Sequence, residues 1–154
     1  MTDKPNEYVL GFLFEEEDLN HEFVVMIKKK KPIWQKDKLN GIGGHIKEGE
    51  TPSQAMIREF SEETGVSVCN WAQFAFLTYH NGDKVWCFVT ADTLALNMAR
   101  TQDGENAEEI HSTSRTFLRD RAKVLPNINW LIEMARAYLK YPGEPVLSIT
   151  YPQT

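Results

Sequence analysis

The chain has 154 residues, 42% of them hydrophobic and 25% charged, with a formal net charge of -5. That length suits one domain able to bury roughly two-thirds of its unfolded surface, and the composition excludes general disorder. The acidic balance disfavours a nucleic-acid polymer as partner while leaving small phosphorylated ligands open.

Met1 to Glu7 is polar, with no apolar stretch of signal-peptide length, and no later run approaches the ~20 residues of a membrane span. The expectation is a cytoplasmic protein without a membrane partner. Tyr8–Phe14 (YVLGFLF) and Glu22–Lys28 (EFVVMIK) are apolar, β-branched and aromatic, and a polar EEEDLNH turn separates them, so both read as strands. The second runs into Lys28–Lys31 and Pro32, either a solvated strand end or a phosphate-facing edge.

Asn40–Gly49 (NGIGGHIKEG) carries four glycines, which predicts tight backbone geometry rather than regular helix or a long strand. Thr51-Pro52-Ser53 then supplies a capping residue and a first-turn proline, and Gln54–Thr64 continues as a helix until Gly65. Trp71–Tyr79 and Lys84–Ala91 flank His80-Asn81-Gly82-Asp83, whose Asn-Gly pair predicts a hairpin.

From Asp92 to Glu109 the chain turns polar, with Asp103-Gly104 as a turn, and Ile110–Leu118 reads as a further strand. Asn127–Leu139 follows Pro126 with apolar residues at helical spacing, and Pro142-Gly143 ends that helix. Strands, helix, strands and helix suit an α/β fold in which helices cover both faces of a mixed sheet.

The two cysteines, Cys69 and Cys87, form no CxxC and no zinc-type cluster with the four histidines. Chemistry concentrates instead in Arg58–Gly65 (REFSEETG). At about 100° per residue, Glu59, Glu62 and Glu63 share about a third of the helix circumference, beside a core stripe of Met56, Ile57 and Phe60. Like charges three and four residues apart repel, and they sit toward the end of the helix where the dipole disfavours anions. Such a trio is either a solvated face or a site for a hard dication, Mg²⁺ or Mn²⁺, completed by water and substrate phosphate.

Gly44, five residues, Glu50, seven residues and then Arg58-Glu59-Phe60-Ser61-Glu62-Glu63-Thr64-Gly65-Val66 follow the spacing of the Nudix box without a gap. The segment 44–66 therefore resembles the Nudix hydrolase family, and the order of elements extends the likeness over most of residues 1–154, read as one domain. Phe60 stands where the family usually has an aliphatic residue.

The resemblance implies an α/β/α sandwich with a mixed sheet and metal-dependent cleavage of a nucleoside diphosphate linked to another group. It makes Glu59, Glu62 and Glu63 metal ligands, with the carbonyl of Gly43 or Gly44 as a further one, Arg58 steadying the carboxylates and Glu50 an outer member. The base that takes a water's proton is Glu59 or an acidic residue before a late strand, for which Glu109 matches best with Glu108 and Glu105 nearby.

Asn40-Gly41-Ile42-Gly43-Gly44 resembles the branch acting on oxidised purine nucleoside triphosphates, and Pro126-Asn127 is similar to a base-reading segment there, which implies base contacts by Asn40 and Asn127; His45, a substrate-site candidate, stands where that branch often has lysine, which weakens the phosphate contact expected at that position. On the residues alone Asn40 is equally a turn residue and Asn127 a helix cap. Trp34, Trp86 and Trp130 could stack on a base or belong to the core. The expected activity is Mg²⁺-dependent cleavage of a purine nucleoside triphosphate to monophosphate and pyrophosphate. The alternatives are ADP-ribose or another nucleotide sugar as substrate, and a Nudix-fold module that senses a nucleotide without turnover.

Overall fold

A computed structural model describes residues 4–17, 20–143 and 146–152. Asp18 and Leu19 of the EEEDLNH turn, and Met1 to Asp3 of the polar start, lie outside them. The elements in order are β1 (Glu7–Phe14), β2 (Phe23–Lys28), β3 (Leu39–Asn40), β4 (Ile42–His45), α1 (Pro52–Thr64), β5 (Ala72–Thr78), β6 (Lys84–Ala91), α2 (Thr93–Met98), β7 (Glu109–Ser114), α3 (Ile128–Lys140) and β8 (Leu147–Thr150).

The strands form one mixed sheet in the order β3-β2-β1-β6-β5-β8, with β4 paired to β1 and β7 to β2. β1 is central. It runs parallel to β6 over its whole length, from Glu7↔Lys84 to Phe14↔Ala91. On its other side it is antiparallel to β4 near its start and to β2 near its end, at Phe14↔Val24.

Successive side chains of a strand point to opposite faces, and β1 and β2 are apolar on both. Leu10, Phe12, Phe14, Val24 and Met26 pack with Ile128, Leu131, Ile132 and Ala135 of α3. Val9, Leu13, Val25 and Ile27 pack with Ala55, Met56 and Phe60 of α1 and with Ala95 and Leu96 of α2. Helices thus cover both faces, as expected. Gly11 faces α1, where a Cβ would come within 2.6 Å of the Met56 sulfur, so its missing side chain lets the helix sit against the central strand.

Thr51 caps α1 in a full capping box with Gln54, and Gly65 closes it in the left-handed conformation at φ 77°. The hairpin between β5 and β6 turns on Gly82, with Tyr79 and Asp83 bonded across it. Phe60 is fully buried against the Trp71 ring, so the aromatic at that box position is a core residue.

Three expectations change. The polar stretch after β6 contains α2, six residues started by Asp92, whose side chain accepts from the Ala95 N–H. The strand expected at Ile110–Leu118 is Glu109–Ser114; it stops opposite Phe23, where β2 begins, and Phe117–Arg119 turns as a 3-10 helix. β8 was unforeseen: it adds to β5 in parallel, from Ala75↔Leu147 to Thr78↔Thr150.

Candidate active site

α1 carries the acidic stripe beneath β4. Arg58 is the hub: its Nε and Nη2 donate to Glu50, Nη1 donates to Glu59 at 2.8 Å and to Glu62 at 3.2 Å, and Nη2 also reaches the His45 carbonyl at 2.9 Å. The cation therefore ties the loop after β4 to the helix. Its guanidinium holds the Glu50 carboxyl down to about 2, against an opposing contribution from burial.

Glu59 and Glu63 are lifted above the ordinary carboxylate range. For Glu59 burial is the main cause, opposed by Arg58 and reinforced by Glu62 and Glu50. For Glu63 burial again leads, reinforced by Glu59, Glu108 and Glu62 and opposed by Lys29. These groups are costly to ionise together, which is the condition a bound cation relieves.

The donor set is chemically right for a hard dication: carboxylate oxygens crowded together, with Gly43 and Gly44 bringing bare backbone beside them. A Cβ on Gly44 would land on the Glu59 carboxylate, and one on Gly43 would land on the Val9 carbonyl oxygen. Among the described residues, however, no three His, Cys, Asp or Glu side chains are arranged as a metal-holding group. Glu59 and Glu62 both turn toward the same Arg58 nitrogen.

The two glutamates before β7 part company. The register Lys28↔Glu109 points Glu109 to the exposed sheet surface, where it meets Lys28 at 3.7 Å and His111 at 3.1 Å; the hydrogen bond from His111 first, and then the charge of Lys28, lower its pKa. Glu109 does not line the cleft. Glu108 does: only 16% exposed, it meets Lys29 at 3.2 Å, accepts from the Lys30 backbone N–H, and faces Glu63 closely enough to raise its pKa. The side chain that faces the α1 carboxylates is thus the neighbour of the expected one, and Lys29 of the basic run is a cleft residue.

A cleft of about 650 Å³ runs beside this cluster, lined at one end by Lys29, Gly43, Gly44 and Glu108 and elsewhere by Asn40, Tyr79, Asn127, Trp130 and Tyr151. Asn40 accepts from the Gly41 N–H at 2.9 Å while lining the cleft, so the turn role and exposure to a ligand coexist. Asn127 stands at the N-cap of α3 but makes no cap hydrogen bond; its Nδ2 donates to the Tyr79 hydroxyl at 3.0 Å. His45 packs its ring on Tyr8 at 4.4 Å at the cleft's edge.

Of the tryptophans, Trp34 is exposed at the mouth and Trp130 is partly buried against the α3 core while reaching the cleft. Trp86 packs on Phe76 and away from the cleft. Cys87 is buried, which pushes its thiol up to about 12, and Cys69 is exposed and free. No helix among the described residues is long and apolar enough to cross a membrane.

A family model described as NUDIX domain matches residues 4–131. The 8-oxo-dGTP diphosphatase of Escherichia coli (strain K12) is 42% identical over 48 residues, covering 31% of this chain and 37% of that protein, so the match spans little more than a third of the relative. Among solved structures, a MutT protein from a study of Aliivibrio salmonicida and Vibrio cholerae superposes with a TM-score of 0.62 at 17% identity, covering 86% of this chain and 96% of the other. A NUDIX-family hydrolase from Clostridium perfringens gives 0.64 at 19%, covering 89% and 99%. The Bacillus halodurans MutT protein gives 0.66 at 13%, covering 95% and 90%. At these identities the superpositions speak for the fold.

Proposed function

The chain belongs to the Nudix hydrolase family, and from that premise we propose that it uses Mg²⁺, with Mn²⁺ as a substitute, to cleave a purine nucleoside triphosphate to monophosphate and pyrophosphate. The observation that carries the reading is the reach of the cleft. It extends from Gly44 and Glu108, beside an acidic cluster, to an amide and aromatic wall at Asn127, Trp130 and Tyr79. At this end of the sheet β4, β1, β6, β5 and β8 follow one another. Gly44 on β4 and Tyr79 at the end of β5 thus stand three strand spacings apart, roughly 14 Å. A ligand with phosphates at one end and a flat, hydrogen-bonding base at the other matches that division.

Glu59, Glu62 and Glu63 would hold the metal, with the carbonyl of Gly43 or Gly44 in support. When bound, it would supply charge neutralisation at phosphorus and acidify a water. Arg58 keeps Glu59 and Glu62 near one another and fastens the helix to β4 through the His45 carbonyl. Glu108, within the field of Glu63, is a better candidate than Glu109 to take or steer the water's proton, and Glu59 is the other. Lys29 can meet phosphate where it now meets Glu108. Asn40 and Asn127 offer amide donors and acceptors to a base edge, and a purine is in keeping with the partial match to an 8-oxo-dGTP diphosphatase.

The test is hydrolysis of a panel containing 8-oxo-dGTP, ATP, GTP, CTP, UTP and ADP-ribose, with and without Mg²⁺, separating pyrophosphate from sugar phosphate. Metal-dependent pyrophosphate release from purine nucleotides is expected. Turnover of ADP-ribose alone moves the reading to nucleotide sugars, and binding without turnover moves it to a sensor. A single domain acting in the cytoplasm on a small molecule is part of the same proposal, and cell fractionation checks the compartment.

A further inference from the structure

The family match ends at residue 131, yet the cleft's far wall is finished by Tyr151. β8 brings it there. The parallel register with β5 ends at Thr78↔Thr150, and the Tyr151 N–H donates to the Thr78 carbonyl at 2.9 Å, so Tyr151 arrives alongside Tyr79. The two rings stack with centroids 4.6 Å apart and planes 8° from parallel. Tyr79 in turn accepts from Asn127 Nδ2 at 3.0 Å.

This arrangement bears on what Asn127 can read. A carboxamide turned by 180° exchanges its donor and its acceptor, so an unanchored amide would accept either pattern on a base edge. Asn127 has no cap hydrogen bond to fix it. The bond to Tyr79 ties one end of the amide down, so where its other polar groups meet a base edge depends on where the Tyr79 ring is held.

We propose that Tyr151 is a positioning residue for base selection: its ring, delivered by β8, immobilises Tyr79, and Tyr79 holds the Asn127 amide in place against the edge of a purine base. What is selected rests on the nucleotide reading above; the lock does not. Tyr151 stands at the opposite end of the cleft from Gly44 and Glu108, so it acts on recognition and leaves the rate of bond cleavage alone.

The experiment compares Tyr151→Ala, Tyr151→Phe and Tyr79→Phe in the full chain. Steady-state kinetics on the nucleoside triphosphates named above should show KM for the preferred purine nucleotide rising about tenfold in Tyr151→Ala, kcat within about twofold, and the preference over CTP and UTP narrowing to match. Tyr151→Phe should behave as the parent. In ¹⁵N-labelled protein, the side-chain amide of Asn127, identified by its loss in Asn127→Asp, should show slowed proton exchange. That slowing should vanish in Tyr151→Ala and Tyr79→Phe and persist in Tyr151→Phe. Unchanged exchange and selectivity in Tyr151→Ala overturn the proposal. Should Tyr151→Ala fail to fold, Tyr79→Phe decides, since it removes one hydroxyl and keeps the stack. A parent protein that hydrolyses none of the nucleotides defeats the nucleotide reading, while the amide measurement still decides the lock.

Discussion

Arg58 grips Glu50 with two parallel hydrogen bonds, Nε to Oε2 at 2.7 Å and Nη2 to Oε1 at 2.9 Å. Glu50 also accepts from the Lys47 N–H, so this one carboxylate shapes the loop from β4 to α1 and holds the cation that faces Glu59 and Glu62.

Glu50→Gln should therefore destabilise the protein by about 1.5–3 kcal/mol at neutral pH, the range for hydrogen bonds to charged groups. The pH dependence has a definite sign. The folded-state pKa of Glu50, about 2, lies below its ordinary value of 4.5, so its contribution is complete above 4.5 and fades as pH falls toward 2. Urea unfolding between pH 2 and 6 should show a shallower acid decline in Glu50→Gln than in the parent. Identical slopes would mean the pair contributes nothing.

Glu59 and Glu63 have the opposite sign. Their folded pKa values lie above 4.5, so the folded state holds extra protons there and stability drops as pH climbs from 4.5 through the raised values. On the proposed reading a bound metal would compete with those protons. Mg²⁺ at a hundred times its dissociation constant should add about 2.7 kcal/mol, with a rise in Tm of about 5–10 °C. The gain should be larger at pH 7.5 than at pH 5. Glu63→Gln, relieved of like-charge neighbours, should be about 0.5 kcal/mol more stable without metal and gain less from it. Thermal melts at both pH values, with and without Mg²⁺, check this.

Much of this site is legible in the chain itself, because α1 is locally specified. Thr51, Pro52, Gln54 and Gly65 start and stop the helix through bonds no more than four residues long, and the spacing of Glu59, Glu62 and Glu63 follows from helical period alone. The rest depends on distant partners. Glu108 and Glu109 differ only in which face they take, and that is set by pairing with β2, some eighty residues away. Asn127 has the position of a cap, and its amide is claimed by Tyr79 across 48 residues. β8 is four residues, mostly exposed; Leu147-Ser148-Ile149-Thr150 does alternate, but so short a run marks no strand by itself, and its pairing with β5 makes it one.

Glu108 and Glu109 form a matched pair of tests, being adjacent and chemically identical. Glu108→Gln should lower kcat at least tenfold, toward the hundredfold or more seen when a proton acceptor is lost. Glu109→Gln, on a surface carboxylate 56% exposed, should stay within twofold of the parent. Equal losses, or a larger one at Glu109, would return the role to the residue that the sequence first suggests. Glu62→Gln, half exposed and outside the core, should keep the fold and lose most turnover.

The neighbouring glycines of β4 should fail in different ways. At Gly43 a methyl group meets the carbonyl oxygen of Val9 within the β1–β4 ladder, and backbone cannot swing aside as a side chain can. Gly43→Ala should cost more than about 2 kcal/mol, as overpacking against fixed atoms does. At Gly44 the obstacle is the end of the Glu59 side chain, which can move. Gly44→Ala should therefore keep stability within about 1 kcal/mol while lowering kcat tenfold to a hundredfold, because a carboxylate displaced by about an ångström no longer serves the reaction. Paired urea titrations and initial rates separate the two outcomes. If Gly44→Ala retained full activity, Glu59 would have no part at the reacting centre in its present position, and the acidic stripe would need another account.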